Sequence, residues 1–213
     1  MKTAVLFDLD GVLTDTERSG MTMLNLACAK QGFQLTEAHW LQLVGATLDK
    51  TKQQLKAWFL AVNEQRLVAD WTATTLAYTK EHGVPEKEGA REVLTLLRSS
   101  GYKLAVCTSN SRLVVQSYLS QLGWTHLFDT LVTSEDVLHR KPAPDTYLLA
   151  AKRLQVTPDR CVGVEDSPGG LQAVKAAGMY TVWIPDLIPV NDPTAYDVSL
   201  RSLSDLPKLL SHL

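Results

Sequence analysis

The chain has 213 residues, a net charge of −2 and a hydrophobic fraction of 45%. That is enough for one sizeable domain, or for a core domain with a small insert, and it is ordinary for a globular protein. No basic excess argues for nucleic acid or a membrane surface, and no apolar run reaches the about 18 residues a membrane span needs. Three widely spaced cysteines, Cys28, Cys107 and Cys161, form no C-x-x-C and read as reduced core thiols. The start lacks the pattern of a secretion signal, so a cytoplasmic protein is expected.

The first element is a buried strand, Ala4 to Phe7, which breaks at Asp8-Leu9-Asp10-Gly11. Two carboxylates flank one leucine where the strand should end. In an open parallel sheet that edge is where ligands bind. Crowded carboxylates repel unless a proton or a cation intervenes, and a hard ion such as Mg²⁺ takes oxygen ligands. Gly11 permits the tight turn that follows.

From residue 16 to 83 the pattern is helical throughout. Residues 17–31 carry Met21, Leu24, Ala27 and Cys28 on one face and stop near Gly32. Thr36 can cap a short helix with Leu41 and Val44, stopped by Gly45. Leu48, Leu55, Trp58, Phe59 and Val62 share a face, as do Leu67, Trp71, Thr74 and Tyr78. Four helices without a strand make a small domain of their own, ended by Gly83-Val84-Pro85, with Trp40, Trp58 and Trp71 as its core. The next stretch, Pro85 to Gly89, is charged.

The chain then alternates. Helices are expected at 87–99, 112–122, 144–154, 171–177 and 204–212, and strands at 103–107, 130–133, 161–164 and 180–184. Such alternation implies a parallel α/β sheet with all strand C-termini on one edge. Four polar clusters fall at that edge: Asp8/Asp10, Thr108-Ser109-Asn110, Lys141 and Glu165-Asp166. Each alone reads as a cap or a solvated side chain. Together, carboxylates, a hydroxyl and a lysine make one coherent site.

Four motifs in this order, D-L-D-G-V-L-T-D-T (8–16), V-C-T-S-N (106–110), R-K-P-A-P-D (140–145) and G-V-E-D-S-P-G-G (163–170), resemble the haloacid dehalogenase superfamily. The closest likeness is to its sugar-phosphate phosphatase and β-phosphoglucomutase-like branch. The resemblance implies a three-layer, Rossmann-like parallel-sheet core from 1–15 and 84–213, with an inserted four-helix cap domain from 16–83. It implies Mg²⁺-dependent hydrolysis of a small phosphomonoester, a sugar phosphate, through an aspartyl-phosphate. Asp8 would be the nucleophile and Asp10 the general acid and base. Thr108, Ser109, Asn110 and Lys141 would bind the phosphoryl group. Asp8, the Asp10 carbonyl, Asp166 and Glu165 would hold the metal. A monomer acting on a small phosphorylated molecule, with no nucleic acid or membrane partner, is expected. Members that cleave carbon–halogen bonds lack the second aspartate, so Asp10 favours phosphoryl transfer. A phosphomutase is the alternative. Its members carry a cap histidine where this chain has Gly20, and a cap arginine near Leu48.

Overall fold

A computed structural model describes residues 1–43 and 48–213, without the side chain of Asp49. Val44 and Gly45, expected to close the second helix, lie outside the described residues. The described chain forms two compact units, 1–15 with 85–213 and 16–84. Val84 falls with the helical unit rather than with the sheet.

Strand β1 (Ala4–Phe7) is wholly buried. The helical unit follows with α1 (Glu17–Ala29), α2 (Glu37–Leu41), α3 (Leu48–Trp58) and α4 (Glu64–His82). Its core is Leu24, Ala27, Cys28, Leu35, Leu43, Leu55, Val62 and Leu67, with Trp40, Trp58 and Trp71 packed against it. In α1 the buried methionine is Met23, whereas Met21 is half-buried. Helix α2 is capped as expected. Thr36 Oγ1 accepts from the His39 N–H at 3.3 Å, and the His39 ring accepts from the Thr36 N–H at 3.2 Å. Leu41, expected on its inner face, is 69% exposed, because five residues make too short a helix to bury a stripe.

The sheet unit continues with α5 (Ala90–Ser99), β2 (Lys103–Cys107), α6 (Arg112–Gln121), β3 (Thr130–Val132), α7 (Asp145–Leu154), β4 (Cys161–Glu165), α8 (Pro168–Ala176), β5 (Tyr180–Trp183), β6 (Val198–Ser199) and α9 (Leu206–Leu210). The sheet order is β3-β2-β1-β4-β5-β6, and every pairing is parallel. Strand β6 has only two residues and no apolar alternation, so no sequence pattern marks it. Helix α8 starts earlier than its apolar pattern shows. Ser167 caps it, accepting from the Gly170 N–H at 3.2 Å, and Pro168 opens the first turn. The final helix is shorter than expected, a 3-10 turn at Leu203–Asp205 followed by α9.

All three cysteines are buried and unpaired. Burial raises the thiols of Cys28 and Cys161 to about 11, so both are neutral and act as small apolar groups. No helix among the described residues is long and apolar enough to cross a membrane.

Two connections join the sheet unit to the helical unit, and they pair with each other where they leave the sheet unit. The Asp15 N–H donates to the Pro85 carbonyl and the Lys87 N–H to the Leu13 carbonyl, both at 2.9 Å. Just past the end of β3, Asp136 ties that strand to α6 and α7. It accepts from Arg112 at 2.6 Å, from Arg153 at 2.7 Å, and from the Thr133 N–H and hydroxyl at 2.8 Å. Burial alone would raise the Asp136 carboxyl; the Arg153 and Thr133 donors outweigh it and hold it at about 2, below the ordinary 3.8. A carboxyl whose folded value is depressed stabilises the fold above its unfolded value and loses that contribution as pH falls through the folded one. Asp136→Asn should therefore lower the unfolding free energy at pH 7 by about 1–3 kcal/mol in urea titrations. The gap between variant and wild type should shrink as pH falls from about 4 toward about 2.

Candidate active site

Register sets the site. Phe7 pairs with Val106 on one side and Val164 on the other, so the next residues of three adjacent strands end at one level. Asp8 follows β1, Cys107 and Thr108 end β2, and Glu165 and Asp166 end β4. The Asp8 N–H donates to the Val164 carbonyl at 2.9 Å, which continues the ladder one residue past the strand. The chain then turns tightly. Leu13 N–H bonds the Leu9 carbonyl, and Gly11 N–H bonds the Thr14 carbonyl, both at 2.8 Å. Leu9, Val12 and Leu13 are fully buried and pin the turn, while Asp8 and Asp10 stand at its mouth.

Glycine makes two close approaches possible. Gly11 has φ +77°, and a Cβ there would collide with the Asp166 carboxylate. A Cβ on Gly170, in the first turn of α8, would collide with the Glu165 carboxylate.

The centre is Lys141, 8% exposed although it is a lysine. Its Nζ donates to Asp8 Oδ1 and to Glu165 Oε1, each at 2.5 Å, and to the Cys107 carbonyl at 2.8 Å. Burial would lower the Lys141 ammonium, but the Asp8 and Glu165 charges outweigh it and hold it above the usual lysine range. Burial pushes the Asp8 carboxyl up, and Lys141 pulls it back. Lys141 thus meets two carboxylates and a carbonyl, and Asp8 stays above the ordinary carboxylate range because burial outweighs the lysine.

Glu165 is fully buried. Its Oε1 accepts from Lys141 and from the Tyr147 hydroxyl at 2.7 Å. Its Oε2 accepts from the Asp166 N–H at 3.2 Å and the Ser167 hydroxyl at 3.1 Å. With the Ser167 N–H at 3.5 Å from Oε2, five donors from four residues surround it. Asp10 is half-buried and accepts from the Asn110 side-chain amide at 2.6 Å. Asn110 also donates its N–H to the Thr108 hydroxyl at 3.1 Å. Thr108 is buried and Ser109 is exposed on the same loop.

The structure thus brings Asp8, Asp10, Thr108, Asn110, Lys141, Glu165 and Asp166 to one sheet edge, with Ser109 at its rim. Tyr147 is a further participant that the motif reading passed over. It lies six residues after Lys141 inside the apolar face of α7, where it reads as core. Its phenol is fully buried, and Lys141 Nζ sits 5.2 Å from its ring centroid. A buried hydroxyl needs a partner, and that need is the signal that could have found it.

The donor set suits a hard cation. Carboxylate oxygens of Asp8, Glu165 and Asp166 lie within 4.8 Å of one another, all buried. One lysine cannot balance them, and the oxygen chemistry is that of Mg²⁺ rather than of a thiol- or imidazole-binding metal. Asp8, Glu165 and Asp166 each offer a carboxylate oxygen to such an ion, and the Glu165 oxygens also accept hydrogen bonds from the protein.

Comparison with known proteins follows this geometry. The family model for haloacid dehalogenase-like hydrolases matches residues 5–184. Fructose-1-phosphate phosphatase YqaB of Escherichia coli (strain K12) is 30% identical over 184 residues, covering 84% of this chain and 94% of that protein. The phosphorylated carbohydrates phosphatase of Thermotoga maritima is also 30% identical, covering 84% of this chain and 83% of that protein. The crystal structure of CbbY from Rhodobacter sphaeroides in complex with phosphate superposes with a TM-score of 0.86 at 26% identity, covering 97% of this chain and 96% of that one. The match of the family model over most of the chain, with these relatives beside it, makes this protein a member of the haloacid dehalogenase-like hydrolases.

Proposed function

We propose that the chain is a Mg²⁺-dependent phosphatase of small phosphomonoesters, of the sugar-phosphate class, working through an aspartyl-phosphate on Asp8. The observation that carries this reading is the Asp8–Lys141 pair at the sheet edge, with Asp10 two residues on. Relatives named as phosphatases of fructose 1-phosphate and of phosphorylated carbohydrates support the substrate class.

A carboxylate is a weak nucleophile, so catalysis rests on position and charge. Asp8 attacks phosphorus while the bond to the leaving alcohol breaks. Lys141, already on Asp8 Oδ1, lies within reach of the phosphoryl oxygens and offsets the repulsion between two anions. Asp10 gives its proton to the leaving oxygen, then takes one from the water that opens the acyl phosphate. Asn110 orients the Asp10 carboxylate for both steps, and the Thr108 hydroxyl can donate to the phosphoryl group. Asp8, the Asp10 carbonyl and Asp166 would hold Mg²⁺, which when bound supplies charge neutralisation to the transferring group. We assign Glu165 to holding Lys141, because its oxygens face Lys141, Tyr147, Ser167 and the Asp166 N–H.

Hydrolysis is favoured over phosphomutation by the surroundings of Gly20. A Cβ there would meet the Trp40 ring at 2.9 Å, so the place of the mutase histidine is covered by an indole. An arginine partner is likewise missing at Leu48.

The reading is tested by phosphate release from a panel of hexose, hexitol and pentose phosphates. Release should stop with a chelator and return with Mg²⁺. Asp8→Asn should lower the rate by at least about 10³, about 4 kcal/mol of transition-state stabilisation, with an unchanged circular dichroism spectrum. Full activity in chelator, or a tenth of it left in Asp8→Asn, would overturn the reading.

Tyr147→Phe removes one donor from Glu165 without changing shape, so Lys141 becomes the remaining donor to Oε1 and is drawn toward it. kcat should fall about tenfold with an unchanged circular dichroism spectrum at the assay temperature. Given β-glucose 1-phosphate with a trace of glucose 1,6-bisphosphate, the wild type should release free phosphate and form no glucose 6-phosphate.

A further inference from the structure

One carboxylate at this edge is not used by the proposed chemistry. Asp186 follows β5, and its side chain is only 4% exposed. Its Oδ1 accepts from Lys87 Nζ at 2.7 Å, and Lys87 also pairs with Asp15 Oδ1 at 3.3 Å. Its Oδ2 is buried and has no protein hydrogen-bond partner. Leaving a buried acceptor unmatched is costly, and more so when it carries charge. A native fold that keeps such a group has something to donate to it.

The position of that oxygen shows what the donor serves. Asp186 Oδ2 lies 3.2 Å from the point where a Cβ on Gly11 would sit, and the Asp166 carboxylate crowds the same point. Two carboxylates thus border one space beside the Asp8–Gly11 turn. Lys87 is bonded to Oδ1 of Asp186 and not to Oδ2. Repulsion between Asp166 and Asp186 is relieved when a cation, or water carried by one, stands near both. Asp186 is outside the group of carboxylates whose oxygens lie within 4.8 Å of one another. Its reach to an ion there is through water. Mg²⁺ keeps several of its waters in protein sites, and those waters are hydrogen-bond donors that need acceptors.

We propose that Asp186 belongs to the cation site, with Oδ2 accepting a hydrogen bond from a water ligand of a divalent ion held at Asp166. This rests on the cation-dependent reading above and adds a residue to it. Lys87 offsets part of the Asp186 charge from Oδ1 and leaves Oδ2 for the ion's water.

The test is calorimetric titration of Mg²⁺ alone into the metal-free full chain, with no substrate present. Asp186→Asn should weaken Mg²⁺ binding about tenfold, within the range for residues acting on a metal through its water or ligands. Lys87→Met removes the ion pair and keeps both carboxylate oxygens, and it should bind Mg²⁺ as tightly as wild type or tighter. If Asp186→Asn strands Lys87 and fails to fold, the double variant Lys87→Met/Asp186→Asn removes both charges. It should bind about tenfold more weakly than Lys87→Met alone. Wild-type affinity in the Asp186 variants would overturn the proposal, as would a loss in Lys87→Met equal to that in Asp186→Asn. A wild-type chain that binds no Mg²⁺ would instead overturn the proposed function.

Discussion

The structure depends on one buried ammonium. Taking Lys141 out of water is costly, and so is burying Asp8 and Glu165. The three charges offset one another only because they meet at hydrogen-bond distance, with the Cys107 carbonyl and the Tyr147 phenol completing their shells. The trio still carries a net negative charge, and Asp10 and Asp166 add to it. Such a site is stable enough to fold and electrostatically incomplete. Under the proposed function, a cation at this edge would offset that charge and let a phosphoryl anion approach it.

Room for this arrangement comes from residues that contribute no functional group. Gly170 lets α8 begin hard against the Glu165 carboxylate, and Gly11 lets the turn after β1 pass beside Asp166. Gly163 does the same for packing, since a Cβ there would drive into Val174 of α8. A methyl group at any of these points would push apart elements whose separation sets the distances in the site. The motif glycines are therefore spacing devices, and the acids on either side of them gain their geometry from what the glycines omit.

The surrounding scaffold is built to keep that edge rigid. Strand β1 lies in the middle of the sheet and is buried on both faces, so Asp8 sits on the element with the least freedom to move. Neighbouring strands β2 and β4 hold it in register from both sides. The paired connections at Leu13–Asp15 and Pro85–Lys87 keep the two exits toward the helical unit together on the sheet side. Asp136 and its two arginines brace α6 and α7 against the end of β3, from which the connection carrying Lys141 leads into α7.

Much of this was legible in the chain by itself. Apolar runs ending in acids marked β1 and β4, and the change from a helical stretch to strict alternation separated the two units. The proposed catalytic groups follow strand ends, which local pattern finds well, because a buried strand must stop where polar residues begin. Local pattern also shows β2, α6 and the Thr36 cap with almost no shift in boundaries, whereas α5 starts three residues later than its pattern. What it could not find were features made by contact at long range. Strand β6 is two residues with no periodicity of their own, and it exists because β5 offers an edge. Tyr147 looked like core until Glu165 was placed opposite its hydroxyl. Glu165 reads as one of a pair of metal-binding acids, and only the tertiary structure adds the five donors that surround it. Asp186 and Lys87 are ordinary charged residues 99 positions apart. Sequence determines which groups stand at each strand end, because that depends on neighbours along the chain. Only the tertiary structure decides which of them share a proton donor or a space, because hydrogen bonding and repulsion act over a few ångströms and are blind to separation along the chain.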